Sequence, residues 1–171
     1  RITACEASYF VTNGSRLACV ATDRRSVWTG DLDGEDAVIL PVEGEGLGYA
    51  GAMSADGRWL AIAGDDGRVR LWDRERRLRL LDAGSERVRA LAFSPDGALL
   101  VVGTHGPKTS LWRVATGTKV RVLEGASVVI RAEFSRDSSY VVGVASDPTI
   151  HLWSVADGAE RRLVGFSQTA L

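Results

Sequence analysis

The sequence is short of several things at once, and each shortage removes a class of explanation. Two cysteines in 171 residues, Cys5 and Cys19, are too few for a disulfide framework, and both fall in apolar runs of strand type, where a buried free thiol is the expected state. The two histidines, His105 and His151, have no partner spacing that reads as a metal centre or a nucleophile triad, and no serine sits in a Gly-x-Ser-x-Gly elbow. Catalysis is not expected, and neither is a metal or a cofactor. No sign of charge dominates: 21 Lys and Arg stand against 22 Asp and Glu. The chain therefore has no broad basic field for a phosphate backbone, and nucleic acid is not an expected partner. No window approaches the roughly 20 apolar residues of a membrane span, so no membrane partner is expected either. No signal peptide is visible, which points to a cytoplasmic setting, but the chain opens on Arg1 rather than Met and an upstream targeting segment is left open.

What the sequence does contain is ordinary for a globular protein, 45% apolar and 25% charged residues, arranged with a period. An aromatic or Met recurs at Phe10, Met53, Phe93 and Phe134. A tryptophan follows each, at Trp28, Trp72, Trp112 and Trp153, after 18 residues in the first unit and 19 in the others. Glycines punctuate the joints at Gly44, Gly84, Gly125 and Gly165. Between aromatic and Trp lies a turn in each unit: TNG at 12–14, ADG at 55–57, PDG at 95–97 and RDS at 136–138. A period near 40 residues marks repeated supersecondary units. The boundaries are 1–43, 44–83, 84–124 and 125–164, with 165–171 opening a further repeat.

Within the third unit, turn signals cut out four short runs, 88–93, 98–104, 109–114 and 119–123. Each has the length and the β-branched or Leu content of a strand. The second run of every unit (17–22, 59–64, 98–104, 140–145) is apolar at consecutive positions, so it must be covered on both faces. Four-stranded antiparallel sheets of that kind stack radially into a β-propeller. A β-sandwich is the competitor, but it calls for stricter alternation. The fold class is therefore all-β, in four propeller blades.

AFSPDG at 92–97, GDDGRVRLWD at 64–73 and HLWSVADG at 151–158 carry a resemblance to the WD40 repeat family, over residues 1 to about 165. Only the second unit ends in the full pair, Trp72-Asp73. The family's tight-turn aspartate is matched by Asp23, Asp66 and Asp147, while Gly106 takes that place in the third unit. Glu45, Ser85, Ala126 and Phe166 stand where the family has a Gly-His histidine, so no unit can build the complete His-Asp-Trp network. Bacterial members often look degenerate in this way. The resemblance implies a ring of seven or eight blades, and so further blades from the same or another chain to cover the end sheets.

The resemblance also implies a function: a non-catalytic interaction scaffold or sensor within a larger protein, binding a protein or peptide through its top face. A propeller enzyme or small-ligand binder that uses the central channel is the alternative. Carried over by position, the top-face residues are Glu6, Tyr49, Arg89 and Ile130 near the start of the inner strands, with Arg87 two residues before Arg89. Asp65, His105 and Ser146 stand just before the turn-aspartate positions. Arg87, Arg89 and His105 together suggest a patch for a carboxylate or phosphate on a peptide.

Three other features have plainer readings. His151 shares a column with Ser26, Arg70 and Ser110, two before each Trp, and a column that is polar but chemically varied reads as structural. GDLDGED at 30–36 looks like a calcium loop but lacks the Gly at the sixth place and the Glu at the twelfth, so it reads as a solvated turn. RERRLR at 74–79 reads as a solvated edge, with an acidic protein partner as the alternative.

Overall fold

A computed structural model describes residues 5–22, 24–33, 36–42, 47–147 and 149–163, without the side chains of 5–11, 41 and 47–49. Asp23, the joint glycines Gly44 and Gly165, and the repeat expected to open at 165 lie outside the described residues. Among those described there is no helix, and sixteen strands form four sheets. The first sheet is β1 (Cys5–Thr12), β2 (Arg16–Ala21), β3 (Ser26–Asp31) and β4 (Val38–Pro41). The second is β5 (Leu47–Met53), β6 (Leu60–Gly64), β7 (Arg68–Trp72) and β8 (Leu78–Asp82). The third is β9 (Val88–Phe93), β10 (Leu99–Thr104), β11 (Thr109–Arg113) and β12 (Thr118–Leu123), and the fourth is β13 (Val129–Phe134), β14 (Tyr140–Ala145), β15 (Ile150–Ser154) and β16 (Glu160–Leu163). Every sheet is an antiparallel meander, its strands side by side in chain order.

The sequence period becomes a spatial one through register. Met53, Leu60 and Trp72 lie opposite one another across three strands, as do Phe93, Leu100 and Trp112, then Phe134, Val141 and Trp153. In the first sheet the same row is Phe10, Cys19 and Trp28. The shared offset between aromatic and Trp is thus the path length from the first strand to the third. In the second, third and fourth sheets the turn between the first two strands is held by a serine and an aspartate, and in the first by Asn13, whose Oδ1 accepts from the Arg16 N–H at 2.9 Å. In the third sheet Ser94 Oγ donates to Asp96, the Leu99 N–H donates to Ser94 Oγ at 2.9 Å, and Gly97 takes a left-handed φ of 69°. Ser138 stands in that left-handed place in the fourth sheet, at φ 60°, without glycine's freedom.

The inner strands line up as β1, β5, β9, β13, each against the next, and no comparable contact joins β13 to β1 among the described residues. The core lies between sheets. One face of the second sheet (Ala61, Val69, Leu71, Leu81) packs on the Trp-bearing face of the third (Leu100, Val102, Trp112). The opposite face of the third (Val101, Leu111, Leu123) packs likewise on Val141 and Trp153 of the fourth. Fully burying one such Leu contributes about 1.5–3 kcal/mol. Arginines fasten the outer strands across the same interfaces: Arg79 Nη1 donates to the Val114 and Ala115 carbonyls at 2.7 and 2.8 Å, and Arg121 Nη2 to the Ala156 carbonyl at 2.7 Å.

Two expectations need amendment. β6 is buried at every position and β10 nearly so, but β14 alternates, with Val142 and Val144 exposed. β14 belongs to the last described sheet in the row, so no sheet among the described residues covers its far face. Cys19 is buried but disulfide-bonded, not a free thiol, and no free cysteine occurs among the described residues. Which side chains meet across a sheet depends on register, which spacing alone leaves undetermined.

Candidate functional site

At one end of each inner strand the ladder is interrupted. In β9, Val88 lies opposite Thr104 and Ala90 opposite Gly103, so Arg89 is extra. In β13, Val129 lies opposite Ala145 and Arg131 opposite Val144, which leaves Ile130 extra. In β5, Gly48 and Tyr49 both fall between the paired residues Leu47 and Ala50, and in β1 the irregularity spans Cys5 to Phe10 and includes Glu6. A bulged residue leaves the ladder and its side chain is re-aimed. The column Glu6, Tyr49, Arg89, Ile130 is therefore the column of inner-strand bulges. The side chains of Glu6 and Tyr49 lie outside the described residues.

The remaining candidates sort around these bulges. Arg87 Nε pairs with Asp65 Oδ1, joining the lead-in of the third sheet to the hairpin between β6 and β7. The His105 N–H donates to the Arg87 carbonyl at 2.7 Å, and the Ser146 N–H donates to the Val128 carbonyl at 2.9 Å, the equivalent tie one sheet on. Asp65, Arg87 and His105 thus come together. Ser146 sits apart, with its hydroxyl 3.0 Å from that of Ser127, which also donates to Asp147 at 3.2 Å.

Arg89 and Ile130 share a different setting, a groove of about 520 Å³ along β5, β9 and β13 that is also lined by Arg131 and Glu133. Arg89 Nε is buried there without a hydrogen-bond partner among the described residues. The structure therefore directs Arg87 to Asp65 and Arg89 to the groove, because the bulge breaks the alternation that would set residues two apart on one side.

Sequence reasoning missed Glu86. It lines a recess with Arg87 and His105, and its carboxylate lies over Gly106, where a Cβ would fall within 1.9 Å of Oε2. Gly106 is the residue that replaces the turn aspartate in this unit, so an acid arrives from the neighbouring segment instead. The signal was there in the sequence: an acid two residues after the joint glycine Gly84, in the unit that lacks its turn aspartate.

The polar column ahead of each Trp is structural. Arg70 is 2% exposed, its guanidinium forked onto Asp66 at 2.6 and 3.1 Å. Burial pushes the Asp66 carboxyl up, and the hydrogen bonds from Arg70 and Arg68 more than offset that, leaving it below the usual range. Ser110 Oγ accepts from the Trp112 indole at 2.9 Å. His151, 1% exposed, stacks on Trp153, with Nδ1 2.6 Å from Glu160 and Nε2 3.2 Å from Asp147. In the fourth sheet a histidine–aspartate–tryptophan cluster does form, with the histidine supplied by β15 instead of by the joint.

The two charged stretches are accounted for locally. Within RERRLR, Arg77 pairs with Asp73 at 2.9 Å and Glu75 at 3.0 Å, and Arg79 is the inter-sheet fastener described above. The acidic turn after β3 has Asp31 3.7 Å from Arg16, and no metal-holding cluster of His, Cys, Asp or Glu occurs among the described residues.

Comparison with known proteins fits this geometry. A family model described as "WD domain, G-beta repeat" matches residues 49–73, 76–113 and 117–154, segments taken from the second, third and fourth sheets. The "Uncharacterized WD repeat-containing protein sll1491" of Synechocystis sp. is 31% identical over 115 residues, covering 66% of this chain. The aligned part is 33% of that relative, so the chain matches about a third of its length.

Proposed function

The chain belongs to the WD40 repeat family, and on that footing we propose that it is a non-catalytic interaction module, binding a protein or peptide through the rim where its inner strands bulge. Members of this family generally mediate protein–protein contacts. One observation carries the reading to this rim: the ladder breaks at the same place in successive inner strands, and the breaks hold Arg89 and Ile130, with Tyr49 at the corresponding register position of β5. Aromatic, Arg and apolar side chains grouped in this way supply binding energy at interfaces. Beside the column, Asp65, Arg87 and His105 form a polar set held by backbone ties, and Arg89 offers a guanidinium for a carboxylate or phosphate.

The alternative, a channel enzyme or small-ligand binder, would be marked by perturbed acids and a histidine at the channel mouth. The acids held below their usual range include Asp66, Asp96, Asp137 and Asp147, and all of them are turn residues bonded to neighbouring Ser, Thr, Arg or His side chains or backbone. That distribution favours the interaction reading.

Screening a peptide library against the immobilised chain tests the proposal. Peptides bearing a carboxylate or phosphate should be retained, and Arg87→Ala with Arg89→Ala should weaken retention about tenfold or more. Retention unchanged by the double substitution would remove the rim from the account.

No helix among the described residues is long and apolar enough to cross a membrane. The cytoplasmic setting expected from sequence is opposed by the disulfide at Cys19, since disulfides persist in oxidising compartments. Thiol titration of freshly isolated protein, denatured without reductant, decides between them. No free thiol supports an oxidising compartment, and two per chain restore the cytoplasmic expectation.

A further inference from the structure

The contacts between successive sheets are not filled alike. Leu40 lies opposite Val27, Arg79 opposite Leu71 and Arg121 opposite Leu111, so Leu40 of β4 holds the place that an arginine takes in β8 and β12. The two arginines reach carbonyls of the following sheet, and a leucine has no group to do so. On the facing side, the residue two past the Trp is Val114 in the third sheet and Val155 in the fourth, but Arg74 in the second. The Val114 N–H donates to the Ala98 carbonyl at 3.0 Å and the Val155 N–H to the Ser139 carbonyl at 2.9 Å, which draws both valines inward. Arg74 is exposed, on a turn one residue shorter: Trp72 lies opposite Leu78, whereas Trp112 lies opposite Lys119 and Trp153 opposite Glu160. Met53 likewise stands where the next two sheets have Phe93 and Phe134.

These replacements leave a cavity of about 220 Å³ between the first and second sheets, at the opposite end of β5 from its bulge. Leu40, Met53, Leu60 and Trp72 supply its apolar lining, and exposed Arg74 and Arg76 stand across it from exposed Asp36. Of the other acids that line it, Asp73 is held by Arg77 at 2.9 Å and Asp31 lies 3.7 Å from Arg16. Arg74 and Arg76 form no ion pair among the described residues, with Asp36 or with any other acid. They are the two arginines of RERRLR that the fold does not use. An apolar cavity of about 150 Å³ takes up benzene, and drug-sized ligands occupy about 300 Å³ or more. The space between the sheets therefore suits one large apolar side chain.

We propose that this cleft docks an extended segment of a partner protein, one large apolar side chain entering between the first two sheets and the acids next to it meeting Arg74 and Arg76. Charge complementarity selects this occupant. An uncharged apolar ligand leaves both guanidinium groups unmatched, and a free anion leaves the apolar cavity unfilled. The cleft is separate from the bulged rim, so the two readings stand or fall independently.

Fluorescence anisotropy of the labelled, end-capped peptide Gly-Gly-Phe-Asp-Asp-Gly, titrated with the intact protein, tests this directly. The expected result is saturable binding, weakened about tenfold or more when Ala replaces the peptide's Phe or Lys replaces both of its Asp residues. Arg74→Glu with Arg76→Glu should weaken it as much. Both side chains are exposed, so the fold should survive, and an unchanged far-UV circular dichroism spectrum checks that. Met53→Phe, which supplies the side chain of the next two sheets, should fill the cavity and abolish binding with no change of charge. Val38→Phe, from the first-sheet wall, is the second filling variant should Met53→Phe not fold. Arg87→Ala with Arg89→Ala should leave binding unchanged, which separates failure here from failure of the rim reading. Absence of saturable binding, indifference to the peptide's Phe or to its acids, or binding that persists through either the charge reversal or the filling of the cavity overturns the proposal. So does a loss confined to the rim variant.

Discussion

Asp137 illustrates how single residues hold this chain together. Its carboxylate accepts from Ser135 Oγ at 2.6 Å, from Ser139 Oγ at 2.7 Å and from the Ser139 N–H at 3.1 Å. The Ser135 hydroxyl, with Ser139 next, holds the carboxyl down at about 2, below its ordinary 3.8. A depressed carboxyl stabilises the fold above its unfolded value, and the contribution is lost as pH falls through the folded one. The wild type should therefore lose its stability advantage over Asp137→Asn as pH drops from 3.8 toward about 2, in urea unfolding followed against pH. A difference that stays constant through that window would mean the hydroxyls do not bind the charged form. Arg89 is the counterpart at the proposed binding rim, since one extra residue in β9 sets its direction.

Among the elements, the sheet-to-sheet interface outweighs the outer strand. Leu111 is fully buried between the third and fourth sheets, whereas Val122 of β12 is 40% exposed. Leu111→Ala should cost about 2–5 kcal/mol, by lost transfer energy plus the cavity left behind. Val122→Ala should cost under about 1 kcal/mol. Equal losses in denaturant unfolding would mean that the sheets do not share a core. The strands and their order were legible in the sequence because turn signals and apolar runs are local, and the run read at 88–93 is β9 itself. The bulges were not legible, because an extra residue is defined only against a partner strand. For the same reason the Cys19 disulfide was misread, and Arg87 and Arg89 were placed together although the bulge sends them to different surroundings. His151 was rightly set down as structural, but the cluster it forms with Asp147, Glu160 and Trp153 needed the hairpin's geometry.

On the scale of the molecule, repetition gives the chain two distinct kinds of surface. The rim collects one bulge and one turn from each sheet, so the recognition patch proposed there would be built by neighbouring sheets jointly. The far face of the fourth sheet carries exposed Val142, Val144 and Leu163, with no neighbouring sheet among the described residues. Both consequences require the four sheets to be successive rotations of one unit about a common axis. Ala55, Pro95 and Arg136 are exposed at the same place in three successive turns and can carry nitroxide labels. Cysteines substituted there two at a time, with the Cys19 disulfide left intact and the labelled chain diluted in unlabelled protein, give three distances by pulsed electron resonance. The account predicts equal spacings for 55–95 and 95–136, and a 55–136 distance longer than either but shorter than their sum. Unequal single steps, or a double step equal to the sum, would contradict it.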